Sequence, residues 1–394
     1  MMFTFVESDK SAKIKVIGVG GAGGNAINNM IDSMLQGVKF IAVNTDSQAL
    51  DISKAPIKIQ IGEKITEGLG AGANPQLGRE AALENADAIR DALEDSHMVF
   101  ITAGFGGGTG TGAAPVIAEI CKDISALTVA VVSKPFSFEG KKRARQAEEG
   151  IDALKEVTDT VITIPNDRLR GLASKSATMI EMFKKADEVL LHSVKGITDL
   201  IMMPGLVNLD FADIRTTMSK AGLAIMGIGV ASGENRATEA AERAISHPLL
   251  EDISISSAKG VLMNITCPSD LTMEEMSEAS ERIYSEVGED ADIIWGAVVD
   301  DSLGDELSVT VIATGIDDGS KSSTQKNSFE HSLRGKVRDI TPADLQNSVD
   351  YDEPTFIRQK EAVGESAGAI YRGYKGIVIN NDLDVPTFLR KKAD

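Results

Sequence analysis

The chain has 394 residues and a formal net charge of −19, and 42% of its residues are hydrophobic although only 4% are aromatic. This length predicts two folded domains with tails, and the aliphatic composition favours cores of buried parallel strands covered by helices. The acidic balance argues against a nucleic-acid-binding protein, which needs a basic face, and no apolar run predicts a signal peptide or a membrane span.

Apolar strands alternate with helices from residue 13 to about residue 167. The strand segments are KIKVIGVG, VKFIAVNTD, IKIQIG, HMVFITAGF, LTVAVVSKPF and DTVITIPND. The helical segments are NAINNMIDSMLQG, NPQLGREAALENADAIRDAL, AAPVIAEICKDI and KKRARQAEEGIDALKEV, and Asn74 followed by Pro75 is a typical start for the second of them. The alternation predicts an α/β domain at 13–175 with a doubly wound, mostly parallel sheet.

A long central helix and a second unit follow. Apolar residues at helical spacing predict the helix within 176–204, from Ser176 to Met203, and a Pro-Gly pair ends it. A loop and a helix are expected at 205–221. From 222 to 316, LAIMGIGVAS, AKGVLMNITC, DADIIWGAVVD and ELSVTVIATG predict strands, and NRATEAAERAIS and TMEEMSEASERIYSEV predict helices. We expect the last two strands to pair in a smaller α/β domain without a glycine-rich site.

The two ends of the chain have a different composition. Residues 1–12 are expected to be a flexible segment, and the polar, non-periodic residues 317–380 predict a disordered linker. Within the linker, YDEPTFIRQKEA at 351–362 resembles LDVPTFLRKKAD at the end of the chain. A short apolar and basic motif at the end of a disordered tail is typical of a segment that docks into a partner's groove. We therefore expect residues 381–394 to bind a partner protein, with 351–362 as a second candidate.

A glycine-rich segment, GVGGAGG, lies between the first strand and the first helix. Gly18, Gly20 and Gly23 fit the pattern G-x-G-x-x-G, and Asp46 follows the second strand. This is the dinucleotide-binding fingerprint, in which a pyrophosphate lies on the helix N-terminus. On these residues alone, a nicotinamide- or flavin-dependent enzyme stays open.

A second glycine loop, GGGTGTG at 106–112, also lies between a strand and a helix. Its backbone N–H groups can surround an anion, the following helix adds the positive end of its dipole, and two threonines can donate hydrogen bonds. Two such loops at one sheet edge would hold a polyphosphate from two sides, whereas a Rossmann dehydrogenase needs one. No G-x-x-x-x-G-K-[ST] occurs, so no P-loop lysine is expected. A tight turn or a flexible linker is the alternative for this segment.

Several motifs in sequence order carry a family resemblance. GGGTGTG looks like the signature of the tubulin and FtsZ family of GTPases, and GVGGAGGNAINNM, AVNTD, GLGAGANP, KPFSFEGKKR, IPNDRL and NLDFADIR resemble its bacterial branch. The resemblance covers about residues 13–316 and the final peptide. It implies GTP binding, a head-to-tail homopolymer, and a cytoplasmic ring at midcell that divides the bacterial cell. It also implies that the tail binds membrane-tethering and regulatory division proteins.

The resemblance implies that small and polar residues after the strands bind GTP or GDP through its phosphates. These residues are Gly20, Gly21, Gly23, Asn25, Asn44, Thr45, Asp46, Gly70, Ala71, Gly72, Gly106, Gly107, Gly108, Thr109, Gly110, Thr111 and Gly112. The segment 70–72 resembles the loop that senses the γ-phosphate, and small residues there permit close approach and movement. Helix–strand packing is an alternative role for Gly23, and a polar turn is an alternative for Thr45.

Ribose, phosphate and base contacts are implied for Pro135, Glu139, Arg143, Asn166, Phe183 and Asp187. A surface ion pair at i, i+4 is the alternative for Glu139 and Arg143. The ring of Phe183 can stack on a base, although this residue also fits the apolar face of the long helix. The carboxylate of Asp187 can accept from both N1–H and the 2-amino group of guanine, a donor pair that adenine lacks.

Two carboxylates, Asp210 and Asp213, are spaced i, i+3 at the start of a predicted helix, where both would project on one face. From spacing alone, Asp210 as an N-cap and Asp213 as a partner of the helix dipole explain them. The resemblance implies instead that this segment, with Asn208, enters the nucleotide site of the next subunit. There the carboxylates polarise the attacking water, so that hydrolysis requires polymerisation.

The four histidines and two cysteines show no ligand spacing, so we predict no metal site built by the protein. A Mg²⁺ that accompanies GTP would be held mainly by phosphate oxygens and water. Cys121 and Cys267 are expected to be buried thiols in a reducing cytoplasm. A nicotinamide-dependent oxidoreductase leaves GGGTGTG unexplained, and a scaffold that binds nucleotide without hydrolysis leaves the carboxylates at 210 and 213 unexplained.

Overall fold

The computed structural model describes residues 12–172, 176–203, 205–207, 209–219, 222–250, 255–288 and 291–316. Its strands are β1 (Ile14–Val19), β2 (Val38–Asn44), β3 (Ile57–Gln60), β4 (Met98–Gly104), β5 (Leu127–Lys134), β6 (Thr160–Pro165), β7 (Gly205–Val207), β8 (Gly222–Ser232), β9 (Gly260–Cys267), β10 (Asp292–Val299) and β11 (Glu306–Ile316). Its helices are α1 (Gly20–Asp32), α2 (Ser47–Asp51), α3 (Glu63–Thr66), α4 (Pro75–Glu84), α5 (Ala86–Leu93), α6 (Thr109–Asp123), α7 (Lys141–Lys155), α8 (Met179–Met202), α9 (Phe211–Met218), α10 (Arg236–Ile245) and α11 (Met273–Tyr284). Short 3₁₀ helices cover Ser137–Glu139, Asn166–Leu172, Pro248–Leu250, Ile255–Ser257 and Asp301–Leu303.

The strands form one sheet in the order β3-β2-β1-β4-β5-β6-β8-β11-β9-β10-β7. From β3 to β8 each neighbouring pair is parallel, and the strand order reverses at β1, which lies between β2 and β4. The predicted doubly wound, mostly parallel sheet is therefore confirmed. The expected pairing of the last two strands is wrong, because β9 lies between β10 and β11. The sheet also continues through residue 222, so both predicted domains share it.

Both faces of the parallel half of the sheet are buried. In β1, Ile14 and Val16 face a core shared with α1 and α8, whereas Ile17 and Val19 face a core shared with α4 and α6. Successive side chains of a strand point to opposite faces, so a strand covered on both sides is apolar throughout. This is why continuous apolar runs, rather than alternating ones, identify these strands. A third core packs α10 and α11 on β9 and β11.

The segment predicted as one helix at 74–93 is two helices, α4 and α5. Asn74 caps the first, since its side-chain oxygen accepts from the N–H of Gln76 at 3.1 Å. Asn85 separates the two, and its Oδ1 accepts from the N–H of Gly62 at 2.8 Å. Both helices bury apolar residues in the same core, so the apolar pattern does not reveal the break.

Three other helices begin at different residues from those predicted. Helices α1 and α6 begin inside the glycine loops, at Gly20 and Thr109, and neither has a side-chain cap. Helix α8 begins at Met179 because Thr178 and Glu181 form a capping box, in which the carboxylate accepts from the backbone N–H of Thr178 at 2.6 Å. Near its other end, α8 is held to β9, because Asn264 Nδ2 donates to the carbonyl of Gly196 at 3.2 Å.

Cys121 and Cys267 are both buried and unpaired. Across the described ranges, no helix is both long and apolar enough to cross a membrane. Residues 1–11, the linker from residue 317 onward and the tail motifs at 351–362 and 381–394 lie outside the described residues.

Candidate functional site

A cavity of about 420 Å³ opens at the carboxyl ends of β1, β4, β5 and β6. Strands β1 and β4 are neighbours, and their carboxyl ends meet at the point where the strand order reverses, so the two glycine loops that follow them come together. The first half of α8 closes another side of the cavity through Phe183, Ala186 and Asp187. The cavity is therefore bounded by two helix N-termini and one long helix.

The two glycine loops interlock and leave backbone exposed to the cavity. Gly20 has φ +74°, and a Cβ there would lie 3.1 Å from the backbone nitrogen of Gly110. Gly21 and Gly107 line the cavity, and a Cβ at either would meet no atom within 4 Å. The N-termini of α1 and α6 start at these loops, so unpaired N–H groups and the positive ends of two helix dipoles surround the same space. This arrangement suits a polyanion such as a polyphosphate.

The cavity brings together residues from five stretches of the chain, 19–25, 104–110, 133–143, 166 and 183–187. The sequence-predicted residues that line it are Gly20, Gly21, Asn25, Gly107, Gly108, Thr109, Gly110, Pro135, Glu139, Arg143, Asn166, Phe183 and Asp187.

Four predicted glycine-loop residues shape the loops without lining the cavity. Gly23 is buried, and a Cβ there would collide with the carbonyl oxygen of Thr102 on β4, so this glycine permits α1 to pack on the sheet. Gly112 plays the same part between α6 and α4. Thr111 Oγ1 accepts from the N–H of Gly106 at 2.9 Å, which fixes the turn that enters α6.

A second group of predicted residues lies behind the cavity rather than at its wall. Thr45 is fully buried, and its hydroxyl lies 2.7 Å from that of Thr109. Asp46 caps α2 by accepting from the N–H groups of Gln48 and Ala49, and the N–H of Asp46 is 3.3 Å from Asn44 Oδ1. The segment Gly70, Ala71 and Gly72 lies next to these residues, and both of its glycines have positive φ. In the described part of the chain no three His, Cys, Asp or Glu side chains group as metal ligands.

Aromatic and polar side chains from three segments lie together at another part of the cavity. The ring of Phe183 is 43% exposed, and its centroid lies 5.5 Å from that of Phe136 in an edge-on arrangement. Asn166 is buried, and its Oδ1 has no hydrogen-bond partner in the described structure. Burial raises the pKa of Asp187 to about 7. Phe183 therefore does not lie in the core, and the buried Asn166 and the half-buried Asp187 line a space that a planar polar ligand can fill.

Glu139 and Arg143 form the ion pair that their spacing allows. Arg143 Nη1 donates to Glu139 Oε2 at 2.6 Å, and the other carboxylate oxygen accepts from the N–H of Phe136 at 2.9 Å. Both side chains also line the cavity. The ion pair and a ligand contact are thus compatible, because the pair stands at the cavity wall.

The carboxylates of Asp210 and Asp213 are exposed at the start of α9. Asp210 occupies the N-cap position, but its side chain makes no capping hydrogen bond. Asn208 lies outside the described residues. The capping role that spacing alone favours for Asp210 is therefore not seen, and its carboxylate faces solvent.

Helix α9 lies at the edge of the sheet opposite the cavity. The ring of Phe211 is 6.2 Å from that of His97, which precedes β4, and Thr160 at the start of β6 donates to the carbonyl of Met218. Arg215 donates to the carbonyl of Ser125, shortly before β5, at 3.4 Å. Because these strands are parallel, their amino ends lie a full strand length, about 20 Å, from the cavity. The two exposed carboxylates do not reach the cavity of their own chain.

Several cavity residues were not predicted from the sequence. They are Val19, Ala22, Gly104, Phe105, Ser133 and Ala186. Gly104 and Ser133 stand at the carboxyl ends of β4 and β5, so the rule that ligands bind at those ends in a doubly wound sheet would have found them. The others are small or apolar and carry no chemical signal.

Two family models match the chain. The Tubulin/FtsZ family, GTPase domain, matches residues 13–174, and the FtsZ family, C-terminal domain, matches residues 222–317. The first match contains most of the cavity, and the second begins at β8.

Solved structures are similar to most of the described chain. A structure described as an empty FtsZ dimer from M. jannaschii is 48% identical with a TM-score of 0.75, and the match covers 78% of this chain and 89% of that one. CetZ1 from Haloferax volcanii, a GDP-bound monomer, is 20% identical with a TM-score of 0.69, over 78% and 95% of the two chains. CetZ2 from the same organism, a GTPγS-bound protofilament, is 20% identical with a TM-score of 0.66, over 78% and 94%. The two CetZ structures show a likeness of fold.

Proposed function

The chain belongs to the tubulin/FtsZ family, and from that premise we propose that it binds GTP in the described cavity and hydrolyses it only when a second copy completes the site. Its residues 13–174 match the GTPase domain of the family.

The residues that line the cavity provide groups for both the phosphates and the base of a guanine nucleotide. The glycine loops and the N-termini of α1 and α6 would hold the phosphates through backbone N–H groups, with Thr109 as a hydroxyl donor. At another part of the cavity, the ring of Phe183 would stack on the base, and Asp187 and Asn166 would meet its polar edge. A Mg²⁺ would be held mainly by phosphate oxygens and water.

One observation carries the proposal of catalysis between subunits: the exposed carboxylates and the cavity lie at opposite edges of the sheet. Asp210 and Asp213 cannot act on the nucleotide of their own chain, but in a head-to-tail stack they face the cavity of the neighbour. There they would orient and polarise the attacking water, which is the part that the glycine loops do not supply.

We further propose that the resulting filament forms a division ring in the cytoplasm at midcell. The tail peptide at 381–394 would bind membrane-tethering and regulatory division proteins, with 351–362 as a second docking copy. A dinucleotide-dependent oxidoreductase accounts for the first glycine loop but gives no role to the second loop or to Asp210 and Asp213.

The experiment measures phosphate release from GTP against protein concentration, with light scattering recorded alongside. We expect a threshold below which there is neither release nor scattering. Asp213→Ala should assemble but lose at least about 100-fold in hydrolysis rate. Glu242→Ala, which removes an exposed carboxylate from α10, is the matched control and should behave as the unaltered chain.

A mixing experiment separates action between chains from action within one chain. Asp187→Ala disables the cavity but keeps the α9 carboxylates, and Asp213→Ala has the reverse defect. Random co-assembly of equal amounts gives about a quarter of the interfaces an intact cavity facing intact carboxylates, so up to about a quarter of the activity should return. An inactive mixture that still scatters light, or release per molecule that does not depend on concentration, would contradict catalysis between subunits.

A further inference from the structure

Thr45 occupies an unusual place for a polar residue near a nucleotide cavity. It directly follows β2, is fully buried and is absent from the cavity wall. Its hydroxyl lies 2.7 Å from the hydroxyl of Thr109, which does line the cavity as the first residue of α6. Thr45 is thus one hydrogen bond removed from the cavity wall.

The backbone of Thr45 is also tied to the loop at 68–72. Its carbonyl oxygen accepts from the N–H of Gly70 at 3.3 Å. The next residue, Asp46, forms a β-bridge with Leu69, whose side chain is 79% exposed. Thr45 and its neighbour Asp46 therefore connect the glycine loop at 106–112 with a segment that reaches the surface.

A second contact joins the same two loops. A Cβ at Gly108 would lie 2.8 Å from the Cβ of Ala71 and 2.9 Å from the backbone nitrogen of Asn74, so the loops are in close contact there. Gly70 and Gly72 have φ of +90° and +56° with open space around them, and such residues can change conformation at low steric cost. The two glycines therefore give the loop at 68–72 backbone freedom next to the glycine loop at 106–112.

A bound phosphate would determine which of the two threonine hydroxyls donates the hydrogen bond between them. A threonine hydroxyl has one hydrogen to donate and two lone pairs to accept, whereas a phosphate oxygen only accepts. When Thr109 donates to a phosphate oxygen, its hydrogen is used, so the bond between the two threonines requires Thr45 as the donor. Without a phosphate, either hydroxyl can donate. The Thr45 hydroxyl therefore holds Thr109 in the rotamer that points its hydrogen at the ligand.

We propose that Thr45 is a positioning residue, which acts through Thr109 to strengthen phosphate binding and transmits phosphate occupancy to the loop at 68–72. This inference rests on the proposed binding of GTP and goes beyond it, because Thr45 itself touches no nucleotide.

The test compares affinities for GTP and for guanosine, measured by calorimetry with magnesium chelated and below the concentration at which the chain assembles. Thr45→Val keeps the side-chain shape but removes the donor, and should weaken GTP binding about 5- to 10-fold. Guanosine affinity should stay unchanged, since guanosine contacts another part of the cavity. Thr45→Ser keeps the hydroxyl and should restore GTP binding to within about 2-fold of the unaltered chain.

A double-mutant cycle tests whether Thr45 acts through Thr109. Thr109→Val alone should weaken GTP binding about tenfold or more, and adding Thr45→Val should cost less than about 2-fold further. If the two substitutions lower GTP affinity independently, so that their fold-losses multiply in the double variant, Thr45 does not act through Thr109. Equal losses of GTP and guanosine binding in Thr45→Val would also overturn the inference, because they indicate general damage to the fold.

Hydrogen exchange of the unaltered chain provides a readout that does not depend on any variant folding. The N–H of Gly70, which donates to Thr45, should exchange more slowly with GTP than with guanosine. Equal exchange in the two states would contradict the coupling. A chain that binds GTP no more tightly than guanosine would overturn the proposed function itself, whereas a GTP affinity that Thr45→Val leaves unchanged overturns this inference alone.

Discussion

Guanosine binding by this chain should weaken as the pH falls below 7, and the cause should be a single carboxyl group. Burial raises the pKa of Asp187 to about 7. To accept hydrogen bonds from N1–H and the 2-amino group of guanine, the group must be ionised. Molecules in which Asp187 is protonated must therefore release that proton before they can bind guanosine in this way. The share of such molecules increases as the pH falls, so the apparent affinity decreases.

The size of the effect follows from the pKa. With a pKa of about 7, roughly nine tenths of the Asp187 carboxyls are ionised at pH 8 and roughly one tenth at pH 6. Affinity should then fall about tenfold between these two pH values. Glu139 and Arg143 line the same cavity, but they pair with each other at 2.6 Å. Asp187→Asn removes the titrating group, so its affinity should be lower at pH 8 and nearly independent of pH.

Guanosine is the right ligand for the assay because it lacks phosphates, whose own ionisation near pH 6 would add a second pH dependence. Affinity is measured by calorimetry at half-unit steps from pH 5.5 to pH 8.5. Inosine, which lacks the 2-amino group, should bind about tenfold more weakly than guanosine at pH 8 and lose this disadvantage in Asp187→Asn. The same pH slope in Asp187→Asn, or no slope in the unaltered chain, would refute the role given to this carboxyl.

Three further predictions concern stability and the tail. Because folding raises the pKa of Asp187, its ionisation lowers the stability of the nucleotide-free chain progressively as the pH rises from about 4 to about 7. Asp187→Asn should therefore raise the free energy of unfolding by about 1–2 kcal/mol at pH 8, measured as a higher thermal midpoint, and by less at pH 5. Gly23→Ala should destabilise the chain by about 2–3 kcal/mol because its Cβ meets the sheet, whereas Gly24→Ala, with nothing within 4 Å, should stabilise α1 by about 0.5–1 kcal/mol in urea unfolding. Deleting 350–362 while keeping the last peptide should lower the apparent affinity for the membrane tether through loss of the second docking copy; unchanged affinity and stoichiometry would reject bivalent docking.

Most of the parallel sheet could be predicted because its strands are apolar on both faces, which leaves a continuous signal in the sequence. Strand pairing in the second half could not. Strands β10 and β11 are consecutive in the chain, yet β9 lies between them in the sheet. The spacing of apolar residues predicts that a segment is a strand, but it does not predict which strand pairs with it. The helix break at Asn85 was hidden for a similar reason, since its cause is a long-range hydrogen bond to Gly62.

The cavity was partly predictable, because glycine loops after adjacent parallel strands must meet at one edge. What the sequence could not separate is a residue at the cavity wall from one behind it. Thr45 and Thr109 are both small polar residues after strands, and only the packing of α6 against the loop after β2 places one in the wall and buries the other. Gly20 and Gly23 differ in the same way, since one faces the cavity and the other faces β4.

The length of α8 explains why one chain holds both halves of the proposed site and yet cannot join them. The helix has 24 residues, which is about 36 Å, and it carries Phe183 and Asp187 at the cavity in its first turns. Its last turn ends at the opposite edge of the sheet, where the chain continues toward Asp210 and α9. In the proposed filament, the length of α8 would therefore place the nucleotide of each subunit and its carboxylates at opposite ends, so that a head-to-tail neighbour brings the two together.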